Sequence, residues 1–383
     1  MGEDPARPDR LVSLACGRLT LTDGTPCQRP VSTRGAPCGA DHRPAGWSTP
    51  SGGSRPELTD LAVLCVAPAD APRLVDQPEA IEELVVATAG AIGLPVPFVE
   101  KDFWVTEAIR SLGRPITDDD SYVILKGGTS LLKIGITARM SEDVDALLVS
   151  NKGRGGTDKT LKALHERIAA DLVIAEPKMT TSTTGIKRNV EYPYPRHHDH
   201  PRLKPHVFVE LGTRGGPEPN TVHGFRSFVA RHATETLGVI ETDFSEFAPA
   251  WISVLSPART AIEKLASLHD AASRPNSDQT DKLALGVRHL YDIWALLGDD
   301  ATREELTAFP VAEVSADVDR HSEQNEWTYT PRPADGYAAS PAFAGPAVTV
   351  LEQAWPALEP LVFGEIPSVA ECIRRITDHG ALL

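Results

Sequence analysis

"LKGGTSLLKIGITARMSEDVDALLV", residues 125–149, carries a pair of glycines at a turn and, further on, two aspartates one residue apart. The run that leads into it, "SYVILK", reads as a short apolar strand, "LLKIG" continues in a helical pattern, and "EDVDALLV" returns to strand. On a strand, residues i and i+2 point to the same face, about 6.6–7 Å apart. Asp143 and Asp145 therefore project two carboxylates together. Such a pair suits Mg²⁺, which keeps water and substrate oxygens in its shell and is readily shared with a triphosphate. Gly127 and Gly128 permit a close backbone approach. The amides that open the following helix, with Thr129 and Ser130, suit phosphate oxygens. Lys126, at the strand end, is a candidate phosphate contact, with an ordinary surface lysine as the competing reading. G-G-T-S and D-x-D are each common alone. Their order in this chain, strand, glycine turn, helix, D-x-D strand, is much more specific and points to nucleotidyl transfer.

Outward from this stretch, "QPEAIEELVVATAGAIGL" and "PFVEKDFWVTEAIRSL" read as helices, the second with Val105, Ile109 and Leu112 at helical spacing. "LKALHERIAADL" is a further helix and "PHVFVELGT" a further strand. Beyond Pro257 the pattern is helical, in "ARTAIEKLASLHDAA" and "GVRHLYDIWALL", with Ser256 placed as N-cap and Pro257 at the first helical position. The expected architecture is α/β with a mixed sheet over residues 79–250, followed by a mainly helical part over 251–383. Residues 187–204, "KRNVEYPYPRHHDHPRLK", are rich in Lys, Arg and His with two tyrosines, a composition suited to a mobile basic loop on RNA. A solvated loop of no special role is the alternative.

A chain of 383 residues that is 41% apolar has material for a large core. Its formal charge of −15 argues against a protein that coats nucleic acid, though a local basic channel remains compatible. No run reaches the roughly 18 apolar residues of a membrane span, and "MGEDPARPDR" lacks an apolar h-region, so a cytoplasmic protein is expected. Cys16, Cys27, Cys38 and His42 form a C-x10-C-x10-C-x3-H array within residues 1–45. Three thiolates and an imidazole fit a closed structural Zn²⁺ site resembling a zinc knuckle; a tail with incidental cysteines is the alternative. A Pro/Gly/Ser-rich linker over residues 46–78 follows.

Together "EKDFWVTEAI", "LKGGTSLLK", "SEDVDALL", "AIEKLASL" and "RHLYDIWAL" resemble the AbiEii/AbiGii (MenT-like) nucleotidyltransferase toxins, over approximately residues 80–383. The resemblance implies a polymerase-β-like nucleotidyltransferase fold and a role in a toxin–antitoxin or phage-defence (abortive infection) system. It also implies Mg²⁺ or Mn²⁺, an NTP donor, a cognate antitoxin, and RNA as acceptor, since relatives act on tRNA 3′ ends. Gly128, Thr129 and Ser130 match the glycine-turn motif, and Ser141, Asp143 and Asp145 the S-x-D-x-D motif. Lys264 matches the lysine of the E-K-L helix, where it would neutralise the triphosphate; read alone it is a snorkelling surface lysine. Asp292 matches the aspartate of the R-x-x-Y-D helix and would orient Lys264 or the nucleotide, against a local pair with Arg288. A third carboxylate is expected on a later strand. Glu210, sharing a face with Phe208, is the best candidate for general base or second-metal ligand. Rival readings are transfer to a protein or small-molecule hydroxyl, and a non-enzymatic protein that binds through the cysteine segment.

Overall fold

The D-x-D run is a strand, as its alternation predicts, and it lies in the middle of a sheet. The computed structural model describes residues 71–116, 121–240, 242–274 and 277–383, together with residues 14–15 and 30–31. The last four residues form a short antiparallel pair, β1 (Leu14–Ala15) with β2 (Pro30–Val31), within a unit Met1–Glu57; the other unit is Leu58–Leu383. Cys16, Cys27, Cys38 and His42, and with them the expected zinc site, lie outside the described residues.

The sheet of the larger unit contains β3 (Tyr122–Lys126), β4 (Asp143–Val149), β5 (Lys178–Thr183), β6 (Lys187–Pro193), β7 (His206–Gly212), β8 (Asn220–Phe225) and β9 (Ala250–Leu255). Their order is β5-β6-β7-β4-β3-β9-β8. β4 runs parallel to β7 and β3 parallel to β9, while the other neighbours are antiparallel, so the sheet is mixed as expected. On one face Val123, Leu125, Val144, Ala146, Leu148, Val207, Val209 and Leu211 enter the main core. The helices Pro78–Ile92, Val96–Gly113, Arg154–Asp171 and Phe228–Glu235 supply the rest of that core. Each of these Val and Leu side chains stabilises by about 1.5–3 kcal/mol when buried. A one-residue slip of β4 would turn all of its share outward. The register is therefore fixed by the core, and everything on the opposite face is placed by it.

The helical half begins at Pro257–Ser273, where the Ser256 hydroxyl accepts from the Arg259 amide and Pro257 opens the helix. Its core gathers Ile262, Leu265, Leu290, Ile293 and Leu297. The short glycine-turn helix, Gly127–Lys133, joins the two halves, because Leu131 packs with Ala261 and Leu296. The expected boundary at residue 250 falls at the first residue of β9, a strand inside the sheet.

The basic segment differs from its expected form. Its first part is β6, paired to both β5 and β7. Alternation is present in "KRNVEYP", since Val190 and Tyr192 enter the core while Lys187, Asn189 and Glu191 take the other face. That polar face masks the strand in the sequence. Among the described residues, no single helix is long and apolar enough to cross a membrane.

Candidate active site

Strand register lines up Asn189 of β6, Glu210 of β7, Asp145 of β4 and Lys126 of β3 as direct neighbours across the sheet. Asp143 stands one step along β4, opposite Phe208. The three expected carboxylates, Asp143, Asp145 and Glu210, thus share one face of two adjacent parallel strands. Burial pushes the Asp145 carboxyl up to about 6; Lys126 opposes the shift, and the like charges of Glu210 and Asp143 add to it. Each neighbour has its own cation. Lys204 Nζ lies 2.8 Å from Asp143 Oδ1, and Lys187 Nζ lies 3.6 Å from Glu210 Oε2. The donor set fits Mg²⁺ or Mn²⁺, which take carboxylate oxygens and leave the remaining positions to water and substrate. Among the described residues no group of three or more His, Cys, Asp and Glu closes around one point. A shared, open site on Asp143 and Asp145 is the arrangement these residues suit.

Gly127 sits at φ +76°, in the left-handed region, and a Cβ there would lie 2.3 Å from Asp145 Oδ2. Both facts require glycine. A Cβ on Gly128 would lie 2.4 Å from Arg139 Nη2 and 3.0 Å from Ser141 Oγ. The turn is therefore packed directly against Asp145 on one side and Arg139 on the other. Gly127→Ala is expected to displace the Asp145 carboxylate and lower the transfer rate by about 10²-fold, the usual effect of a misplaced catalytic group. Its melting temperature should fall only slightly, the left-handed backbone costing about 1–2 kcal/mol. Steady-state kinetics beside a thermal melt test this, and a wild-type rate would detach Asp145 from catalysis.

The hydroxyls expected on phosphate are turned inward. Thr129 Oγ1 donates to the Asp143 carbonyl and contacts Ser141 Oγ at 2.9 Å, while Ser130 Oγ donates to the Gly127 carbonyl at 2.9 Å. Both Thr129 and Ser130 are fully buried. In this arrangement Thr129 and Ser141 tie the glycine turn to β4, and Ser130 closes the turn on itself.

Lys264 is buried rather than snorkelling, and its Nζ lies 3.0 Å from Asp292 Oδ2. Asp292 also receives a two-pronged contact from Arg139, Nε to Oδ1 at 3.1 Å and Nη2 to Oδ2 at 2.9 Å. Its partner is thus Arg139, distant in sequence, not the nearby Arg288. Burial alone would raise the Asp292 carboxyl, but Arg139 and Lys264 hold it at about 2. His289, 3.4 Å from Lys264, is pushed down to about 3 by burial and by the lysine charge, so it stays neutral. The lysine's field reaches Asp145. Arg139, Asp292 and Lys264 therefore form a buried cationic cluster behind the glycine turn.

Arg139 is a member of the site that its local sequence does not announce, and so are three charges on the Val96–Gly113 helix. Glu100, Lys101 and Asp102 are all essentially solvent-free. Asp102 pairs with Lys133 at the end of the glycine-turn helix and accepts the Phe228 amide at 2.7 Å. Glu100 accepts the amides of His197 and His198, at 2.8 and 3.2 Å. Lys101 donates to the carbonyls of Lys204 and His206 and sits 3.4 Å from Glu142. Leu203 packs on Phe98, Leu132 and Met140. The 194–205 segment is pinned against the site by these contacts. Three successive charges set among Phe98, Val99, Phe103 and Trp104 are the signal that could have found them, because buried charge demands partners.

A family model of the AbiEii nucleotidyl transferase toxin, type IV toxin–antitoxin system, matches residues 110–357, a span that contains every residue of the carboxylate row and of the cationic cluster. Two solved structures are similar at low identity. MenT4, a nucleotidyltransferase toxin from Mycobacterium tuberculosis H37Rv, is 17% identical with a TM-score of 0.48, covering 79% of this chain and 88% of that one. JHP933 from Helicobacter pylori is 15% identical with a TM-score of 0.36, covering 73% and 87%. No curated protein matches. With the family model spanning well over half of the chain, glycine turn and D-x-D strand included, this protein belongs to the AbiEii family of nucleotidyltransferase toxins of type IV toxin–antitoxin systems.

Proposed function

We propose that the protein transfers a nucleotidyl group from an NTP to the 3′-hydroxyl of an RNA, with tRNA as the acceptor class. The family carries an NTP donor and an antitoxin partner with it. The observation that supports transfer most is the row Glu210–Asp145–Lys126, with Asp143 beside it and Arg139–Asp292–Lys264 behind the turn. Mg²⁺ or Mn²⁺ held by Asp143 and Asp145 would supply a Lewis acid for the triphosphate and acceptor oxygens. Lys264, fixed by Asp292, and Lys126 neutralise charge that gathers on the departing pyrophosphate. Glu210 takes the proton of the attacking hydroxyl as its oxygen bonds to the α-phosphorus and the α–β bridging bond breaks. The part-exposed Lys187 pairs with Glu210 and holds it in place for that task.

RNA is the acceptor this reading takes from the family resemblance, and Lys187, Lys204 and Lys126, interleaved with the carboxylates on one face, are compatible with it. Once metal ions take the carboxylates, these lysines suit a polyanionic strand end. Incubation of the protein with α-labelled NTPs, total RNA and a cell protein extract checks the acceptor. Label in the tRNA fraction is expected. Label confined to protein, or to neither, would replace RNA with a protein or small-molecule hydroxyl. Lys264→Ala should lower the rate with little change in tRNA binding by gel shift, since its proposed contact is with the donor.

A further inference from the structure

We propose that Lys204 is a phosphate-binding residue of the transfer reaction, held on Asp143 until a metal ion takes that carboxylate. This rests on the reading of Asp143 as a metal ligand. Lys204 does not reach Asp143 by chance. Its carbonyl accepts from the buried Lys101 at 3.0 Å, and its amide donates to Glu142 Oε2 at 2.7 Å. Upstream, Glu100 holds the amides of His197 and His198, and Leu203 is buried beside Phe98. The backbone of residue 204 is thus fixed on two sides by charged groups that themselves belong to buried or half-buried pairs.

The side chain is in a different condition. It is 43% exposed, its ammonium lies 2.8 Å from Asp143 Oδ1, and the same ammonium stands 5.0 Å from the centre of the Phe208 ring. A metal ion that takes Asp143 Oδ1 displaces this ammonium, because two cations on one carboxylate oxygen repel. Lys204 then loses its anion while its backbone stays where it is. A lysine on a flexible stem, held beside a carboxylate whose metal ion would face a phosphoryl group, exchanges that carboxylate for a phosphate oxygen. Phe208 keeps the stem on the catalytic face. The phosphate is either on the NTP or in the terminal phosphodiester of the acceptor.

Lys204→Met on the full-length protein separates these sources. Mn²⁺ binding, followed by electron paramagnetic resonance without nucleotide, should tighten by about twofold to fivefold, the range expected when a part-exposed competing ion pair is removed. In transfer assays, the KM for one ligand should rise by about tenfold, as for loss of one charged hydrogen bond. A rise confined to the NTP assigns the donor phosphate, and a rise confined to the RNA assigns the acceptor phosphodiester. Lys204→Arg, which keeps the charge, should restore most of the lost affinity. Unchanged or weaker Mn²⁺ binding, or both KM values unchanged, overturns the proposal. Asp143→Ala distinguishes this failure from a deeper one: Mn²⁺ binding that survives that substitution would remove the metal reading itself, and the proposal with it.

Discussion

Asp143→Ala and Asp145→Ala are each expected to lose about 10²–10³-fold in transfer rate, the scale on which removal of a principal electrostatic group acts, without loss of the fold. The two carboxylates are the proposed metal ligands, and they share one face of β4. Stability should move in the opposite direction to activity for Asp145. Its carboxyl titrates at about 6 because burial and the charges of Glu210 and Asp143 disfavour the ionised form. A carboxyl whose folded value is raised lowers stability as pH climbs through that value. Asp145→Ala removes the penalty, so the variant should melt no lower than wild type at neutral pH, and the difference should vanish below about pH 4, under the ordinary carboxylate value. Rate measurements in Mg²⁺ beside melts at several pH values check both halves. An inactive variant that also melted far below wild type would make Asp145 structural.

Asp292→Ala should be inactive for another reason and should also destabilise strongly. Asp292 is wholly buried and is the common anion of Arg139 and Lys264, both nearly solvent-free. Its carboxyl is held at about 2, below the ordinary range, so its contribution is present above that range and is lost as pH falls through about 2. Deleting it leaves two buried cations without their counter-ion. Breaking a buried pair in this way costs about 3–5 kcal/mol, which lowers the melting temperature by on the order of 5–10 °C in a unit of this size. Transfer fails as well, because Lys264 is no longer held toward the glycine turn. Asp292→Asn keeps the shape but not the charge and should lie between. Near-wild-type stability in Asp292→Ala would mean that Arg139 and Lys264 do not depend on it.

What the sequence disclosed about this site follows from how local each signal is. The strand, glycine turn and D-x-D run are contiguous, so their alternation and the need for glycine at 127 are legible in residues 122–149. Ser256 and Pro257 declare a helix start in two residues. Glu210 is legible from its position beside Phe208 on an alternating strand, but its alignment with Asp145 depends on a parallel register between strands 65 residues apart in sequence (210 − 145). Arg139 and Asp292 are 153 positions apart, and nothing in either neighbourhood names the other. The same holds for Glu100 and Lys101, whose partners at 197–206 fall within a segment that reads as a solvated basic loop. β6 is hidden because the face it shares with the carboxylate row carries Lys187, Asn189 and Glu191, polar residues that break the apolar pattern a strand is recognised by. The site obscures its own scaffold.

Whether this face moves the α-phosphorus of an NTP together with its nucleoside is decided by the fate of two labels. The purified protein, Mg²⁺ and tRNA are incubated with an NTP labelled at the α-phosphate, and in parallel with the same NTP labelled at the γ-phosphate. Nucleotidyl transfer places the α label on the RNA and releases the γ label as pyrophosphate, with no transfer to tRNA whose 3′-terminal diol has been oxidised. Label from the γ position on the acceptor would mean phosphoryl transfer, and would contradict the proposed roles of Asp143, Asp145 and Lys264.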